Sequence, residues 1–422
     1  MLDINFIREN RELVKQGMSA KGEKDHSIVD QVIEVDEKWR SVVTSIDRLR
    51  AESNKKSKQI GELMARGKRE EAQALIAETG ESKDQLKKLE ESKEALQARR
   101  ESLLYQIPNI PDPSVPVGKT PEENEVFKEW GERLDETWRK PHWELAEQKD
   151  WIDFERGAKV TGAGFPFYVG DMARLQRALI NFFINEAVGE GYKELQAPYF
   201  VNEDSARGTG QIPDKEDMMY EIGRDGFFAI PTAEVPVTNF HRSEILSHDD
   251  LPLYYVAYTP CWRREAGSYG KDVRGLNRLH QFDKVELVKI VTPEESMNEL
   301  ETLRIYAEGL LEKLKLPYRT LLMCTGDMGF TQSKKYDLEV WSPGQQRWLE
   351  VSSCSNFGSY QARRMQLRYR NDKEKIEMAH TLNGSGLALP RIVASILETY
   401  QTEKGDVVMP DVLVPFMGKE II

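Results

Sequence analysis

The chain has 422 residues, with 59 Lys and Arg against 71 Asp and Glu, which gives a formal net charge of −12. This length suggests two or three domains, and eight Trp, fifteen Tyr and fifteen Phe exclude a fully disordered chain. No run of 18 apolar residues occurs, and no cationic segment precedes an apolar one at the start. We therefore expect neither a membrane helix nor a secretory signal.

The three cysteines, Cys261, Cys324 and Cys354, lie far apart and form no CxxC pair. We therefore expect neither a disulfide framework nor a structural zinc site. Free thiols are typical of a reducing compartment, so we expect the protein to be cytoplasmic. The acidic balance argues against non-specific coating of nucleic acid and leaves RNA binding by a local surface open.

A heptad pattern dominates the first quarter of the chain. Apolar residues between 28 and 49 alternate steps of four and three, and the pattern resumes at Ile60 after Ser53 and Lys56. It stops near Gly67, which can form a turn, and positions 75, 82, 89, 96 and 103 then repeat every seven residues. We predict an antiparallel hairpin of two long helices. An oligomerisation coiled coil is the alternative, but two nearly equal halves around one turn favour the hairpin.

The hairpin segment also differs from the rest of the chain in charge. Residues 27–106 contain sixteen Lys and Arg and sixteen Asp and Glu, so the remainder carries the whole negative charge. Its basic residues could contact phosphates, although a solvated charged face explains any one of them equally well.

Five prolines between residues 108 and 121 exclude a helix or a central strand there. We therefore divide the chain into an N-terminal domain at residues 1–106, a proline-rich linker at 107–121 and a larger domain at 122–422.

The larger domain mixes helical and strand-like patterns. The predicted elements are helices at Met172–Glu186, Thr292–Leu316 and Leu387–Tyr400 and strands at Tyr254–Tyr258 and Phe282–Ile290. Thr292 is a suitable N-cap, with Pro293 at the first helical position. Because strands and helices do not alternate strictly, the pattern favours an α+β fold with an antiparallel sheet.

Several common nucleotide-binding signatures are missing from the sequence: it contains no GxxxxGK[ST] loop and no GxGxxG between a strand and a helix. The stretch 259–289 instead predicts a hairpin whose long loop is rich in glycine and arginine. Such a loop suits a polyanion, because guanidinium groups match phosphate oxygens. A charged surface hairpin is the alternative.

Two further groups of polar residues accompany this hairpin. Thr232 and Glu234 stand two residues apart, and on a strand their side chains would share a face. Residues 381–386, TLNGSG, lead through Pro390 to Arg391 and a predicted helix, whose N-terminus would favour anions. Each group alone could be a turn followed by a helix cap.

Taken together, these residues resemble the bacterial type of seryl-tRNA synthetase, a family of class II aminoacyl-tRNA synthetases. The resemblance covers essentially the whole chain and rests on TAE at 232–234, the arginine-rich motif 2 loop, LEVSSCSNFGSYQARR at 349–364 and NGSGLA at 383–388. It implies an N-terminal two-helix coiled-coil arm and a catalytic domain with an antiparallel sheet flanked by helices. Residues 172–198 resemble motif 1, which implies a homodimer.

The resemblance also implies a serine–tRNA ligase reaction in two steps. L-Serine and ATP give seryl-adenylate and pyrophosphate, and the seryl group then moves to the 3′ end of serine tRNA, and of selenocysteine tRNA as well. ATP would be a substrate, Mg²⁺ the metal ion, and zinc would not be required. The arm would bind tRNA through its backbone and shape.

For the nucleotide, the resemblance implies contacts from Arg263 to the α-phosphate, Glu265 to the adenine amino group and Arg391 to the γ-phosphate. These three are the implied catalytic residues. Phe282 would stack on adenine, and Arg278 would contact the outer phosphates. The remaining implied ATP-binding residues are Arg264, Glu350, Val351, Ser352 and Ser353, of which Glu350 and Ser353 would hold Mg²⁺.

The implied serine-binding residues are Thr232, Ala233, Glu234, Arg263, Glu286, Asn383 and Ser385. Glu286 is central, because a carboxylate can accept hydrogen bonds from both the ammonium and the hydroxyl group of serine. A pocket built for a hydroxyl rejects alanine strongly. The sequence departs from the family at Arg264, where a small serine is usual, and at Pro390 before Arg391.

Three alternatives remain. A threonine or proline enzyme of the same class normally carries a further domain after motif 3, and only about thirty residues follow Arg391. A homologue that charges a carrier other than tRNA would not need the arm. A non-catalytic coiled-coil scaffold would not need the ATP-binding residues.

Overall fold

The computed structural model describes residues 1–213, 217–264 and 274–422, except for the side chains at 77 and 81. The chain forms two compact units. The first comprises residues 1–19 and 23–108, and the second comprises residues 20–22 and 109–422.

The first unit is helical. Its elements are α1 (Ile4–Glu9), α2 (Arg11–Ala20), α3 (Ser27–Ala65) and α4 (Arg69–Leu104). The turn between α3 and α4 contains Gly67 with φ +76°, a conformation that suits glycine. Ion pairs from Arg50 to Glu90 and from Lys56 to Glu78 show that the two helices run antiparallel. The predicted two-helix hairpin is therefore confirmed.

The interruption in the heptad pattern does not open the hairpin. Ser53 and Lys56 remain half-buried on the face of α3 that meets α4. The Nζ atom of Lys56 lies 2.9 Å from a carboxylate oxygen of Glu78, so the charge at this interrupted position is paired across the two helices.

A buried carboxylate joins the base of the hairpin to α1. Asp36 is 1 % exposed and lies 3.0 Å from Arg8, 2.9 Å from Arg40 and 2.8 Å from Arg100. The guanidinium of Arg100 also lies over the ring of Trp39, 4.1 Å from its centroid. Three cations around one carboxylate compensate for its removal from water.

The second unit combines strands and helices. Its helices are α5 (His142–Gln148), α6 (Phe154–Val160), α7 (Asp171–Gly189), α8 (Glu203–Thr209), α9 (Glu234–Thr238), α10 (Ser296–Lys313), α11 (Tyr360–Met365), α12 (Leu389–Tyr400) and α13 (Val414–Met417). Its first strands are β1 (Glu125–Trp130), β2 (Ile152–Asp153), β3 (Phe167–Tyr168), β4 (Lys193–Glu194), β5 (Phe200–Asn202), β6 (Tyr220–Ile222), β7 (Phe227–Ala229) and β8 (Ile245–Ser247). The later strands are β9 (Leu253–Trp262), β10 (Gln281–Val291), β11 (Tyr318–Leu322), β12 (Lys334–Ser342), β13 (Arg347–Asn356), β14 (Arg368–Arg370), β15 (Ile376–Met378) and β16 (His380–Ala388).

An eight-stranded sheet organises this unit, in the order β1-β11-β12-β13-β16-β10-β9-β4. Its neighbours pair antiparallel except for β4 and β9, which are parallel at one edge. Leu179 of α7, Leu303 of α10 and Val393 of α12 pack with Leu287 of β10 in one apolar core. The predicted α+β fold with an antiparallel sheet flanked by helices is confirmed.

Two predicted element boundaries were wrong. The helix expected from Thr292 begins at Ser296, because residues 293–295 form a turn in which the Ser296 amide donates to the Pro293 carbonyl at 3.4 Å. Residues His380–Ala388 form β16 in the middle of the sheet, so α12 begins only at Leu389. The glycines serve close packing there. A Cβ at Gly384 would lie 3.1 Å from the Cys354 sulfur.

Candidate active site

Arg263 and Phe282 come together on the predicted hairpin of β9 and β10. The Arg263 amide donates to the His280 carbonyl at 2.9 Å, immediately beyond the register pair Trp262 and Gln281. Its Nε lies 3.4 Å from the Pro231 carbonyl, and its guanidinium carbon lies 5.2 Å from the centroid of the Phe282 ring. A cation and an aromatic face are thus presented side by side.

Arg264 has a different environment from Arg263. Its Nε lies 3.2 Å from an Asp217 carboxylate oxygen, and its guanidinium carbon lies 6.0 Å from the centroid of the Tyr220 ring. Glu265 and the glycines of the predicted loop lie outside the described residues. Arg278 is exposed in the segment that leads into β10.

Arg391, in the first turn of α12, is held by two backbone carbonyls. Its Nε donates to Asn277 at 3.0 Å, and its Nη1 donates to Glu350 at 2.6 Å. Nη1 also lies 3.8 Å from the Glu350 carboxylate. The Glu350 side chain is about half exposed, and the charges of Lys335, Arg391 and Arg263 hold its pKa below the usual value.

A β-bulge in β13 brings Glu350 and Ser353 to one face. Ser352 pairs with Leu338, but Glu350 pairs with Glu339, so Val351 is an extra residue. Residues three apart on a regular strand face opposite sides, and the extra residue reverses that relation. Val351 packs in the core, and the Ser352 hydroxyl donates to the Ser385 carbonyl at 2.7 Å.

Asp337 adds a second carboxylate to this face. It is the register partner of Ser353, and its Oδ2 lies 2.9 Å from Lys335 Nζ. Its Oδ1 is buried and accepts no hydrogen bond from any described residue. Burial, together with the charge of Glu350, raises the pKa of Asp337 above its ordinary value, although Lys335 opposes the shift.

Glu286 lies at the centre of a second polar group. It is 2 % exposed and stands directly opposite Ser385 across β10 and β16. Lys284 Nζ lies 2.5 Å from its Oε2. Phe282, Lys284 and Glu286 alternate along β10, so their side chains share one face of the strand.

Thr232 and Glu234 reach the same region from a turn and not from a strand. The expectation of a shared strand face was therefore wrong, because α9 begins at Glu234. The Thr232 hydroxyl instead accepts from the Glu234 amide at 3.2 Å. Ala233 is fully buried in an apolar cluster, so it can offer a ligand only its backbone.

Glu234 is held by neutral donors beside a second carboxylate. It accepts from Gln361 Nε2 at 2.7 Å and also from the side chain of Asn383. Burial, reinforced by the charge of Glu286, raises the pKa of Glu234 to about 7. Two carboxylates, Glu234 and Glu286, and the ammonium of Lys284 are therefore buried in the same region.

Sequence reasoning missed Lys284, Gln361 and Asp337. Lys284 could have been recognised in the sequence, because Lys284 and Glu286 are two charged residues in a predicted strand that is otherwise largely apolar. Gln361 acts through Glu234, and its own carbonyl accepts from Thr381 at 2.7 Å. Such contacts between distant segments leave no local signature.

Among the described residues, no helix combines the length and the apolar character needed to cross a lipid bilayer.

The antiparallel sheet thus presents Arg263 at the end of β9 and Arg391 in α12, the helix that follows β16. Comparison with known families identifies this domain as the core of a class II aminoacyl-tRNA synthetase. The family model described as "tRNA synthetase class II core domain (G, H, P, S and T)" matches residues 220–400. A second family model, described as "Seryl-tRNA synthetase N-terminal domain", matches residues 1–111.

Relatives over the full length make the assignment specific. A serine–tRNA ligase of Salinibacter ruber is 57 % identical over 99 % of this chain and 98 % of its own. One from Natranaerobius thermophilus is 49 % identical over 100 % of both chains. The seryl-tRNA synthetase of Pyrococcus horikoshii complexed with ATP superposes with a TM-score of 0.93 at 38 % identity, covering 100 % of this chain and 99 % of that one. The chain belongs to the seryl-tRNA synthetase family.

Proposed function

We propose that the protein activates L-serine with ATP and transfers the seryl group to the 3′ end of serine tRNA. One observation carries the proposal. Phe282, Lys284 and Glu286 share one face of β10, so a nucleotide at Phe282 and an amino acid at Glu286 would lie side by side. The separation along the strand is about 13 Å, which matches an aminoacyl-adenylate in extended form.

In the first step, a carboxylate oxygen of serine attacks the α-phosphorus of ATP, and the bond to pyrophosphate breaks. We assign Arg263 to the α-phosphate and the serine carboxylate, and Arg391 to the γ-phosphate. These guanidinium groups stabilise charge that develops on the phosphates, and no protein nucleophile is needed. Phe282 stacks on adenine, Glu265 accepts from its amino group, and Arg278 contacts the outer phosphates.

The serine pocket is assigned to the second polar group. Glu286 and Glu234 attract the ammonium group, and Glu286 also accepts from the serine hydroxyl. Thr232, Asn383 and Ser385 line the same space, and Ala233 contributes its backbone. Alanine is rejected because it would leave buried polar groups without partners.

We assign Mg²⁺ to the face formed by Glu350 and Ser353. Their oxygens, with the buried and unpartnered Oδ1 of Asp337 nearby, are the hard donors that this cation prefers. When bound, Mg²⁺ neutralises phosphate charge. Val351 and Ser352 contribute backbone atoms to the nucleotide-binding site. Zinc is not required.

Arg264 is also assigned to ATP, but its guanidinium group would have to break the ion pair with Asp217 to reach the nucleotide.

The N-terminal domain at residues 1–106 is assigned to tRNA. Its hairpin reads the shape and backbone of serine tRNA, and of selenocysteine tRNA as well. Residues 107–121 form the linker, and residues 122–422 form the catalytic domain. We further propose a homodimer through motif 1 and a cytoplasmic location, which the three free and buried thiols favour.

The test separates activation from transfer. The ion pair between Arg50 and Glu90 marks where α3 and α4 lie close enough for a short glycine-containing turn to replace residues 51–89. We expect this variant to keep serine-dependent ATP–pyrophosphate exchange within about twofold and to lose tRNA charging by at least roughly 100-fold.

A panel of the twenty amino acids in the same exchange assay identifies the substrate. Exchange with serine alone supports the proposal. Absence of exchange in the full-length protein would favour a scaffold. Exchange without tRNA charging in the full-length protein would favour a different carrier.

A further inference from the structure

A hydrogen-bond network centred on two fully buried side chains, Glu398 and His142, connects to Arg391 of α12. Glu398, in the last turn of α12, is 0 % exposed. Its carboxylate accepts from the His142 amide at 3.0 Å, from His142 Nδ1 at 2.8 Å and from Gln345 Nε2 at 3.0 Å. It also accepts from the Gly344 amide at 3.1 Å and from the Ser342 hydroxyl. Burial opposes ionisation, but these hydrogen bonds hold the pKa of Glu398 below its usual value.

The orientation of the His142 imidazole follows from its partners. Its Nε2 lies 2.8 Å from the Leu276 amide, which can only donate. Nε2 must therefore be the acceptor, and the ring proton resides on Nδ1, where it is donated to Glu398. The ring thus connects α12 to the backbone at Leu276.

The turn that His142 holds is the one that positions Arg391. The next residue, Asn277, supplies the carbonyl that accepts from Arg391 Nε at 3.0 Å. Gly275 has φ +65° and lies so close to the ring that a Cβ would overlap His142 Nε2. A second link runs from the Asn277 side chain to Gln345 Oε1 at 2.9 Å, and so to Glu398.

We propose that His142 is a positioning residue for ATP, because it fixes the Leu276–Asn277 backbone and thereby the guanidinium of Arg391. This inference rests on the proposed function, in which Arg391 contacts the γ-phosphate. His142 itself is buried and contacts no substrate. Removal of its Nε2 acceptor frees the turn, and a displacement of about 1 Å at a phosphate-binding group can reduce the rate by roughly 100-fold.

The chain offers three matched substitutions. His142→Asn keeps a donor near Glu398 but loses the acceptor for Leu276. His142→Gln extends an amide oxygen to the position of Nε2 and keeps the acceptor. Ser342→Ala removes a donor from the same carboxylate without touching the turn.

The measurement is serine-dependent ATP–pyrophosphate exchange on the full-length protein, with KM determined separately for ATP and serine and with the melting temperature of each variant. We expect His142→Asn to lower kcat/KM for ATP between about 10- and 100-fold, with KM for serine within about twofold. His142→Gln and Ser342→Ala should stay within about threefold of the unmodified protein.

Several outcomes would overturn the proposal. One is an equal fall in kcat/KM for ATP in His142→Asn and Ser342→Ala. Another is an equal change in KM for ATP and KM for serine in His142→Asn. The third is a His142→Gln variant whose kcat/KM for ATP is as low as that of His142→Asn. If His142→Asn does not fold, Gly275→Ala displaces the same turn, and an unchanged kcat/KM for ATP in that variant would refute the idea. Absence of exchange in the unmodified protein would instead refute the proposed function.

Discussion

Replacement of Glu286 by glutamine tests the serine pocket most directly. The substitution keeps the size of the side chain and removes its charge. Glu286 is 2 % exposed, faces Ser385 across the sheet and lies 2.5 Å from Lys284. The ammonium of serine would therefore lose a charged acceptor in a site from which water is largely excluded.

A hydrogen bond to a charged group contributes about 1.5–3 kcal/mol. Its loss corresponds to an increase in KM for serine of about 10- to 150-fold. The ATP contacts assigned to Arg263, Phe282 and Arg391 do not involve Glu286, so KM for ATP should change by less than about threefold. Both values come from ATP–pyrophosphate exchange with the second substrate saturating.

The other face of the same strand supplies a control. Lys289 Nζ lies 2.6 Å from a Glu299 carboxylate oxygen, and both side chains are nearly buried. Glu299→Gln should therefore lower stability about as much as Glu286→Gln while leaving KM for serine unchanged. The reasoning fails if Glu299→Gln raises KM for serine equally, or if Glu286→Gln raises KM for ATP more than KM for serine.

Two further predictions concern charge. Arg263→Ala should lower ATP–pyrophosphate exchange by at least roughly 100-fold without changing the melting temperature. Arg264→Ala, which breaks the ion pair with Asp217, should lower the exchange rate far less. Equal losses of exchange in the two variants would contradict the assignment of the α-phosphate contact to Arg263. The pKa of Glu234 is raised from 4.5 to about 7. The folded state therefore retains a proton that the unfolded chain releases, and stability falls as pH rises between these values. Glu234→Gln should gain stability relative to the unmodified protein, by up to about 3 kcal/mol, between pH 4.5 and pH 8. Thermal unfolding without ligands at both pH values measures this, and a pH-independent difference would contradict it.

The fold was predictable where a local period repeats. The heptad pattern of α3 and α4 predicts the hairpin because each helix packs one face against the other. The strand β10 is recognisable for another reason, since it is buried continuously from Lys284 to Val291 as a strand in the interior of a sheet. The turn before Ser296 and the strand at 381–388 were missed for the opposite reason. Pro293 lies in a turn instead of the first turn of a helix, and Gly384 allows close packing against Cys354 instead of ending a strand. The residue type alone does not distinguish these roles.

The candidate site depends on the irregular parts of the sheet. The bulge at Val351 turns Glu350 and Ser353 to one face, and a register shift between β10 and β16 sets Glu286 opposite Ser385. A strict period of two would separate the first pair and shift the second. The family resemblance supplied these residues, but their geometry requires the three-dimensional pairing.

The same argument explains why the positioning residues escaped prediction. His142 lies 134 residues before Leu276 and 256 residues before Glu398, and nothing in the neighbouring sequence distinguishes it from other histidines. Its part in the network follows only from the opposite demands of two partners, a carboxylate that must accept and an amide that must donate. A residue that holds the backbone beneath the arginine assigned to the γ-phosphate need not stand in any motif, because its contacts are with the protein and not with the substrate.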